Sequence, residues 1–111
     1  MAEGPRLEQR VNLSITVIIV PVQKGRPDTT DAIHAVTKEF STSGVSVIVD
    51  YPRVPNEALL LFRSKGKPVF MRGKAKHLDP MGGGFYQCGF KLTEVLDTQD
   101  WPALQDLAAT L

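Results

Sequence analysis

A single cysteine, Cys88, leaves the 111-residue chain without a partner for an internal disulfide, which excludes a disulfide-stapled secreted scaffold. No run of apolar residues approaches the roughly 18 that a membrane-spanning helix needs; the longest strand-like run is 15–22. The N-terminus lacks the apolar core of a signal peptide, so we expect a cytoplasmic protein. A net charge of +1 is too small for a generic nucleic-acid-binding domain. We therefore expect one small domain that has no membrane span. We do not expect a nucleic acid polymer as its partner.

Sequence motifs of enzymes are also missing. The glycine–lysine pairs of the chain lack the spacing of a phosphate-binding loop, and no serine stands in a Gly-x-Ser-x-Gly elbow. The two histidines, His34 and His77, do not combine with the cysteine in any spacing typical of metal ligands. We therefore expect no enzymatic activity, no metal and no cofactor.

The dominant pattern along the chain is a period of two, which is typical of strands. From Val11 to Ile19 apolar residues alternate on one face, and Pro21 together with the loop 23–28 is predicted to end this first strand. Residues 79–84, with three glycines, are predicted to form a flexible hairpin connection before the last strand. In this way the pattern predicts six strands, at 11–19, 32–40, 45–49, 58–62, 69–78 and 85–96.

The end of the chain changes to helical spacing. Apolar residues recur every three or four positions from 101 to 111, and Asp97 or Thr98 is the predicted N-cap. Six short strands at hairpin spacing favour an antiparallel barrel, because closure removes exposed sheet edges. We therefore predict an all-β fold. It consists of a six-stranded antiparallel β-barrel at 11–96 and a C-terminal α-helix at 97–111, packed outside the barrel or over one open end.

Two short motifs have the chemistry to bind a ligand. Arg6 and Arg10 precede the first strand, and a guanidinium offers donors to phosphate or to the Hoogsteen edge of guanine. Glu39, Ser41 and Gly44 follow at the join of the second and third strands. A carboxylate accepts the N1–H and N2–H₂ donors of guanine, a hydroxyl adds a contact, and glycine lets a ligand approach the backbone. Alone, the first motif also fits a solvated arm and the second a turn capped by serines.

Together, in this order, the two motifs resemble those of the PilZ domain family, receptors for the bacterial second messenger cyclic di-GMP. The family has Arg-x-x-x-Arg before its first strand, which Arg6 and Arg10 match. It has Asp/Asn-x-Ser-x-x-Gly between its second and third strands. Ser41 and Gly44 match this second motif, whereas Glu39 stands where the family has Asp or Asn.

The resemblance extends over nearly the whole chain. Residues 72–77 resemble the Gly-x-Val strand of the family, and residues 86–92 resemble its closing Gly-x-x-Phe strand. It implies a single PilZ domain, a six-stranded barrel with a C-terminal helix, in agreement with the strand count above. It further implies a flexible N-terminal arm, 1–10, that cyclic di-GMP orders, with the ligand bound as one molecule or as a stacked pair. An effector protein or attached domain, and a homodimer, are the further partners it allows.

The resemblance also implies a role for each motif residue. Arg6 and Arg10 contact phosphate oxygens and guanine from the arm. Glu39 accepts the donor edge of a guanine, Ser41 supports that carboxylate or a phosphate, and Gly44 keeps the approach to the backbone open.

Several further side chains are open to a structural or a functional interpretation. The basic residues at 72–76 alternate on one strand face, which is either solvated or a source of the field that attracts a dianionic ligand. His77 either stacks on a guanine of the ligand or packs against the protein. Phe85 and Trp101 are predicted core anchors, and Cys88 is predicted to pack as a small hydrophobe.

Two other functions stay open. One is a degenerate PilZ domain that acts as a nucleotide-independent protein–protein adaptor, which the departure at Glu39 favours. The other is a barrel that binds single-stranded nucleic acid, which needs exposed aromatic residues beside basic ones, whereas the chain has only 7% aromatic residues.

Overall fold

The computed structural model describes three stretches of the chain, 11–50, 54–96 and 101–111. The predicted arm, 1–10, with Arg6 and Arg10, and the predicted N-cap residues Asp97 and Thr98 lie outside the described residues. The described elements follow in the order β1 (Val11–Asn12), β2 (Thr16–Gln23), β3 (Arg26–Pro27), β4 (Ile33–Phe40), β5 (Gly44–Val49), β6 (Glu57–Ser64), β7 (Lys67–Gly82), β8 (Phe85–Val95) and α1 (Pro102–Ala108).

Six of the described strands close into a ring in which every neighbouring pair is antiparallel. β2 pairs with β4, β4 with β5, β5 with β8, β8 with β7, β7 with β6, and β6 with β2 again. The two-residue strands β1 and β3 attach to β4 and β2 respectively. The predicted fold class, a closed antiparallel sheet of six strands with a C-terminal helix, is confirmed.

The ring buries apolar side chains on both of its faces. The inner core consists of Val17, Ile19, Ala35, Val45, Val47, Val49, Ala58, Leu60, Phe62, Cys88 and Phe90. Because β2 and β6 are apolar at consecutive positions, these two strands also bury their outer faces. There Leu104 and Ala108 of α1 pack on Ile18, Val20, Leu59, Leu61 and Phe70. The helix thus packs outside the ring, and no helix of the described residues is long and apolar enough to span a membrane.

The predicted end of the first strand at Pro21 is wrong, because β2 continues through Pro21 to Gln23. Pro21 pairs with Ala58 of β6, and its carbonyl accepts the N–H of Asp28, which directly follows β3, at 2.7 Å. The N–H and C=O groups of one antiparallel strand residue point to the same side. The N–H that proline lacks is therefore missing on the side of β3, and the ladder between β2 and β6 is intact.

A break at residues 13–15 divides the predicted strand at 11–19 into β1 and β2, and Thr37 of β4 bridges this break. The Thr37 side chain is fully buried; its hydroxyl accepts the Ile15 N–H at 3.0 Å and donates to the Leu13 carbonyl. Two backbone groups of the break are thus paired inside the protein. These bonds hold β1 beside the last residues of β4.

The predicted burial of Phe85 and Trp101 is wrong, since they are 50% and 41% exposed. β7 continues to Gly82, so the hairpin turn is shorter than the predicted 79–84, and residues 83–84 adopt positive φ angles there. Phe85 precedes Tyr86, the first residue of β8 that pairs with β5, so β5 does not cover it. Trp101 precedes α1, whose buried residues begin one turn later.

Cys88 is fully buried in the inner core, and the prediction that it packs as a small hydrophobe is confirmed. Burial, with a smaller contribution from the Asp79 carboxylate, raises the pKa of the Cys88 thiol to about 11. The thiol is therefore protonated at neutral pH, which makes it a poor nucleophile.

Candidate functional site

Four residues of neighbouring strands form a row across the outer face of the ring. Each is paired directly with the next, in the order Glu39 of β4, Ser46 of β5, Gly89 of β8 and His77 of β7. Residues on either side of the row in β5 and β8 belong to the inner core, which places the row on the outer face. Neighbouring strands lie about 4.8 Å apart, so Glu39 and His77 are about 14 Å apart along the row.

The middle of this row forms the floor of a surface hollow of about 410 Å³. Ser46 and Gly89 line it between Glu39 and His77, and the His77 imidazole lies over Gly89. The turn between β4 and β5 lines a further side of the hollow. The four candidate residues that the structure describes are thus brought together at one site: Glu39, Ser41, Gly44 and His77.

Hydrogen bonds between Ser41 and Gly44 define the turn beside the hollow. The Ser41 N–H donates to the Gly44 carbonyl at 2.9 Å, and the Gly44 N–H donates to the Ser41 Oγ at 3.1 Å. A Cβ at Gly44 would lie 2.8 Å from the carbonyl oxygen of Phe90, so the approach of β8 requires glycine at this position. The two residues therefore have structural roles in the turn and in the β5–β8 pair.

The imidazole of His77 lies over Gly89 on the neighbouring strand. A Cβ built on Gly89 would lie 2.2 Å from Cε1 and 2.7 Å from Nδ1 of His77, so the ring fills the space of the missing side chain. The His77 Nε2 is 3.8 Å from the carboxylate of Asp79, and the side chain is 54% exposed. His77 therefore presents an accessible ring at the edge of the hollow.

Two lysines line the hollow together with Glu39. Lys76 and Lys91 line it, and Lys74 lies directly opposite Lys91 in the ladder between β7 and β8. Like charges at directly opposite positions of a sheet destabilise the strand pair. On its other side, Lys74 is paired with Glu57 of β6, whose carboxylate compensates part of that repulsion.

The sequence pattern places Arg72 on one strand face with Lys74 and Lys76. In the structure Arg72 is paired with two carboxylates. Its Nε lies 2.7 Å from Glu57 and its Nη1 lies 3.1 Å from Glu94. Arg72 also borders a separate, smaller hollow beside α1, with a volume of about 210 Å³. It therefore contributes to the contact between β6, β7 and β8 rather than to the site.

A larger cavity of about 770 Å³ lies between the segment 54–56, β2 and β7. Lys76 and His77 line this cavity as well as the hollow. No sequence pattern indicates this cavity, because its residues come from separate segments that share no motif. Among the described residues, no three His, Cys, Asp or Glu side chains are grouped as a metal site would require.

Sequence reasoning missed Ser46, Gly89 and Lys91 as residues of the hollow. Only the register between β4, β5, β8 and β7 brings these residues next to Glu39 and His77. Small residues at 46 and 89 were visible in the sequence, but nothing in their spacing connects them to each other.

Comparison with solved structures identifies the architecture. The crystal structure of the PilZ domain of CeSA, from a cellulose-synthesizing bacterium, matches with a TM-score of 0.56 and 16% sequence identity; the match covers 92% of this chain and 96% of that one. The fold is PilZ-like. The structure of MotI/DgrA, the inhibitor of motility from Bacillus subtilis, matches 97% of this chain with a TM-score of 0.62 and 12% identity. The chain spans about half, 49%, of the length of that second structure.

No protein-family model matches the sequence, and no curated protein matches it. Because the two structures share only 12% and 16% of their residues with this chain, they show the PilZ-like fold alone.

Proposed function

We propose that this PilZ-like domain binds cyclic di-GMP and performs no chemistry on it. The observation that carries the proposal is the convergence of Glu39, the turn at 41–44 and His77 on one hollow lined by lysines. The chain also enters the described fold at this place. Val11, which directly follows Arg10, pairs with Phe40 at the end of β4. The residue that follows the arginine-containing motif in the sequence is thus paired with the strand end that carries Glu39.

Each part of the ligand has a chemical counterpart in this proposal. The Glu39 carboxylate accepts the N1–H and N2–H₂ donors of one guanine. Lys76 and Lys91 supply a positive potential for the two phosphates. Arg6 and Arg10 add bidentate hydrogen bonds to phosphate oxygens or to a guanine Hoogsteen edge. Ser41 and Gly44 fix the turn that borders the bound base.

The signal in this proposal is a change in the segment that precedes β1. β1 is only two residues long, and Thr37 anchors the break that follows it. Contacts from Arg6 and Arg10 to a ligand in the hollow would favour one conformation of residues 1–10 over others. A ligand shifts such an equilibrium by its difference in affinity for the conformations, and a partner protein can then recognise the favoured one.

Isothermal titration calorimetry with cyclic di-GMP and, in parallel, cyclic di-AMP tests the proposal. We expect saturable binding of cyclic di-GMP with a Kd of about 1 μM or lower, and a stoichiometry that distinguishes one molecule from a stacked pair. Cyclic di-AMP should bind at least about tenfold more weakly, because adenine lacks the N1–H donor that Glu39 accepts. A folded sample that gives neither heat nor a thermal shift would contradict the proposal and leave the adaptor function as the better account.

Substitutions of Glu39 test the proposed guanine contact. Glu39→Gln removes the charge and one acceptor oxygen, so we expect binding of cyclic di-GMP to weaken by about ten- to a hundredfold. Glu39→Asp keeps the carboxylate, and we expect it to retain binding within about a factor of three of the wild type. Calorimetry measures both variants, with melting temperatures as the control for folding. Equal affinities of the Gln variant and the wild type would exclude the contact.

The geometry of His77 over Gly89 gives a second test of the hollow. If the His77 ring stacks on a base, His77→Ala should weaken binding about five- to tenfold. Gly89→Ala should cause a similar loss with His77 still present, because the new Cβ displaces the imidazole. The double variant should bind no more weakly than either single variant, since both act through one ring. Losses that multiply in the double variant would show that Gly89 acts independently of His77.

A further inference from the structure

We propose that Ser46 is a further binding residue of the hollow, one that donates a hydrogen bond to the O6 atom of the guanine held by Glu39. This inference rests on the proposed function, since it names a contact within the same site. Ser46 lies in β5 and belongs to neither of the two sequence motifs, so β5 would also take part in recognising the base.

The Ser46 hydroxyl lacks a hydrogen-bond partner in the part of the chain that the structure describes, and its Oγ is buried. Buried side-chain hydroxyls are nearly always paired in native proteins, so each exception needs an explanation. A hydroxyl that gains its partner only when a ligand binds provides one.

Ser46 stands in the middle of the cross-strand row. Ser46 pairs with Glu39 on one side and with Gly89 on the other, and it lines the hollow. A serine side chain has three staggered χ1 positions. Over Gly89 the imidazole of His77 fills the space of the missing side chain, so the free direction for the Ser46 hydroxyl is toward Glu39, its other neighbour in the row.

The edge of guanine carries donors and an acceptor side by side. The N1–H and N2–H₂ groups are donors that match the Glu39 carboxylate, and O6, next to N1, is an acceptor. Ser46 is the direct neighbour of Glu39, and its hydroxyl is a donor. The pair Glu39 and Ser46 therefore offers an acceptor and a donor side by side, as the N1–H and O6 groups require.

The variant Ser46→Ala distinguishes this role from a structural one. Without ligand, removal of an unsatisfied buried hydroxyl should leave the melting temperature unchanged or higher. With cyclic di-GMP, the same variant should bind roughly two- to tenfold more weakly by calorimetry. Ser64→Ala, at the exposed end of β6, is the matched control and should bind like the wild type. A residue with only a structural role would lower the melting temperature and the affinity together.

The inosine analogue of the ligand, which keeps O6 and lacks the N2 amino group, identifies the contacted atom. We expect the factor lost in Ser46→Ala to be the same with this analogue as with cyclic di-GMP. A factor that vanishes with the analogue would assign the contact to the amino group and overturn the O6 assignment. Wild-type affinity of Ser46→Ala would overturn the role of Ser46 while the proposed function stands; absence of binding by the wild type would overturn the proposed function itself.

Discussion

Replacing Arg10 with alanine is expected to weaken the binding of cyclic di-GMP by at least about a hundredfold, one of the two largest effects we predict. Each hydrogen bond between charged groups contributes about 1.5–3 kcal/mol, and a guanidinium makes two in parallel with a phosphate or a guanine edge. Arg10 directly precedes Val11, which pairs with Phe40 beside Glu39, so of the two arginines it is nearer in sequence to the hollow. Calorimetry against the wild type measures the loss.

The control for this prediction is Arg63→Ala, which removes the same charge elsewhere. Arg63 is exposed, and its Nη1 donates to the Gly66 carbonyl at 3.3 Å in the turn between β6 and β7. We expect this variant to bind cyclic di-GMP as the wild type does, apart from a small effect of net charge that salt screens. Equal losses in the two variants would indicate general attraction of an anion and would contradict a specific role of Arg10.

The sequence predicted the strands well where one face of a strand is buried and the other is solvated. β4 follows this rule, since Ala35 and Thr37 are buried while His34 and Val36 are exposed. β2 departs from it, because α1 covers its outer face and buries consecutive residues. The error at Pro21 has a related cause: whether a proline ends a strand depends on which neighbour needs its N–H, and that is a property of the assembled sheet.

The candidate site could be predicted only as far as its residues are local in the sequence. Glu39, Ser41 and Gly44 lie at the turn between β4 and β5 or at the strand ends beside it, so their spacing alone brings them together. Ser46 and Gly89 enter the site through strand register, and a shift of one residue would turn each of them to the opposite face of the sheet. No pattern in a single sequence specifies that register across three strand pairs.

Shape and charge of the hollow follow from the same register. The register places Ser46 and Gly89 between Glu39 and His77, and the absence of a Gly89 side chain lets the His77 imidazole lie over β8 at the edge of the hollow. Lys91 is brought next to this hollow on β8, opposite Lys74. Lys74 is paired on its other side with Glu57 of β6, so among these lysines it is Lys76 and Lys91 that line the hollow.

The largest expected effect on stability is that of Leu60→Ala in the inner core. Leu60 is fully buried, and removing three of its carbons leaves a cavity that the six ring strands cannot readily close. We expect the free energy of unfolding to fall by about 2–5 kcal/mol, measured by urea denaturation. Leu13→Ala, at a leucine that is 44% exposed, is the control and should change it by about 0.5 kcal/mol. Similar losses in the two variants would show that the interior of the ring is loosely packed.

Gly73 provides a second, independent measurement of how closely Leu60 is packed. A Cβ at Gly73 would lie 2.9 Å from the Cδ1 of Leu60 and 3.3 Å from the carbonyl oxygen of Lys91, so Gly73→Ala alone should cost about 1–3 kcal/mol through overpacking. In the Leu60→Ala background the nearer of these two atoms is absent, and the new methyl group fills part of the cavity. The double variant should therefore be more stable than the sum of the single losses predicts, by about 1 kcal/mol or more. Additive losses would mean that the contact with the Lys91 carbonyl, and not the Leu60 side chain, excludes alanine at this position.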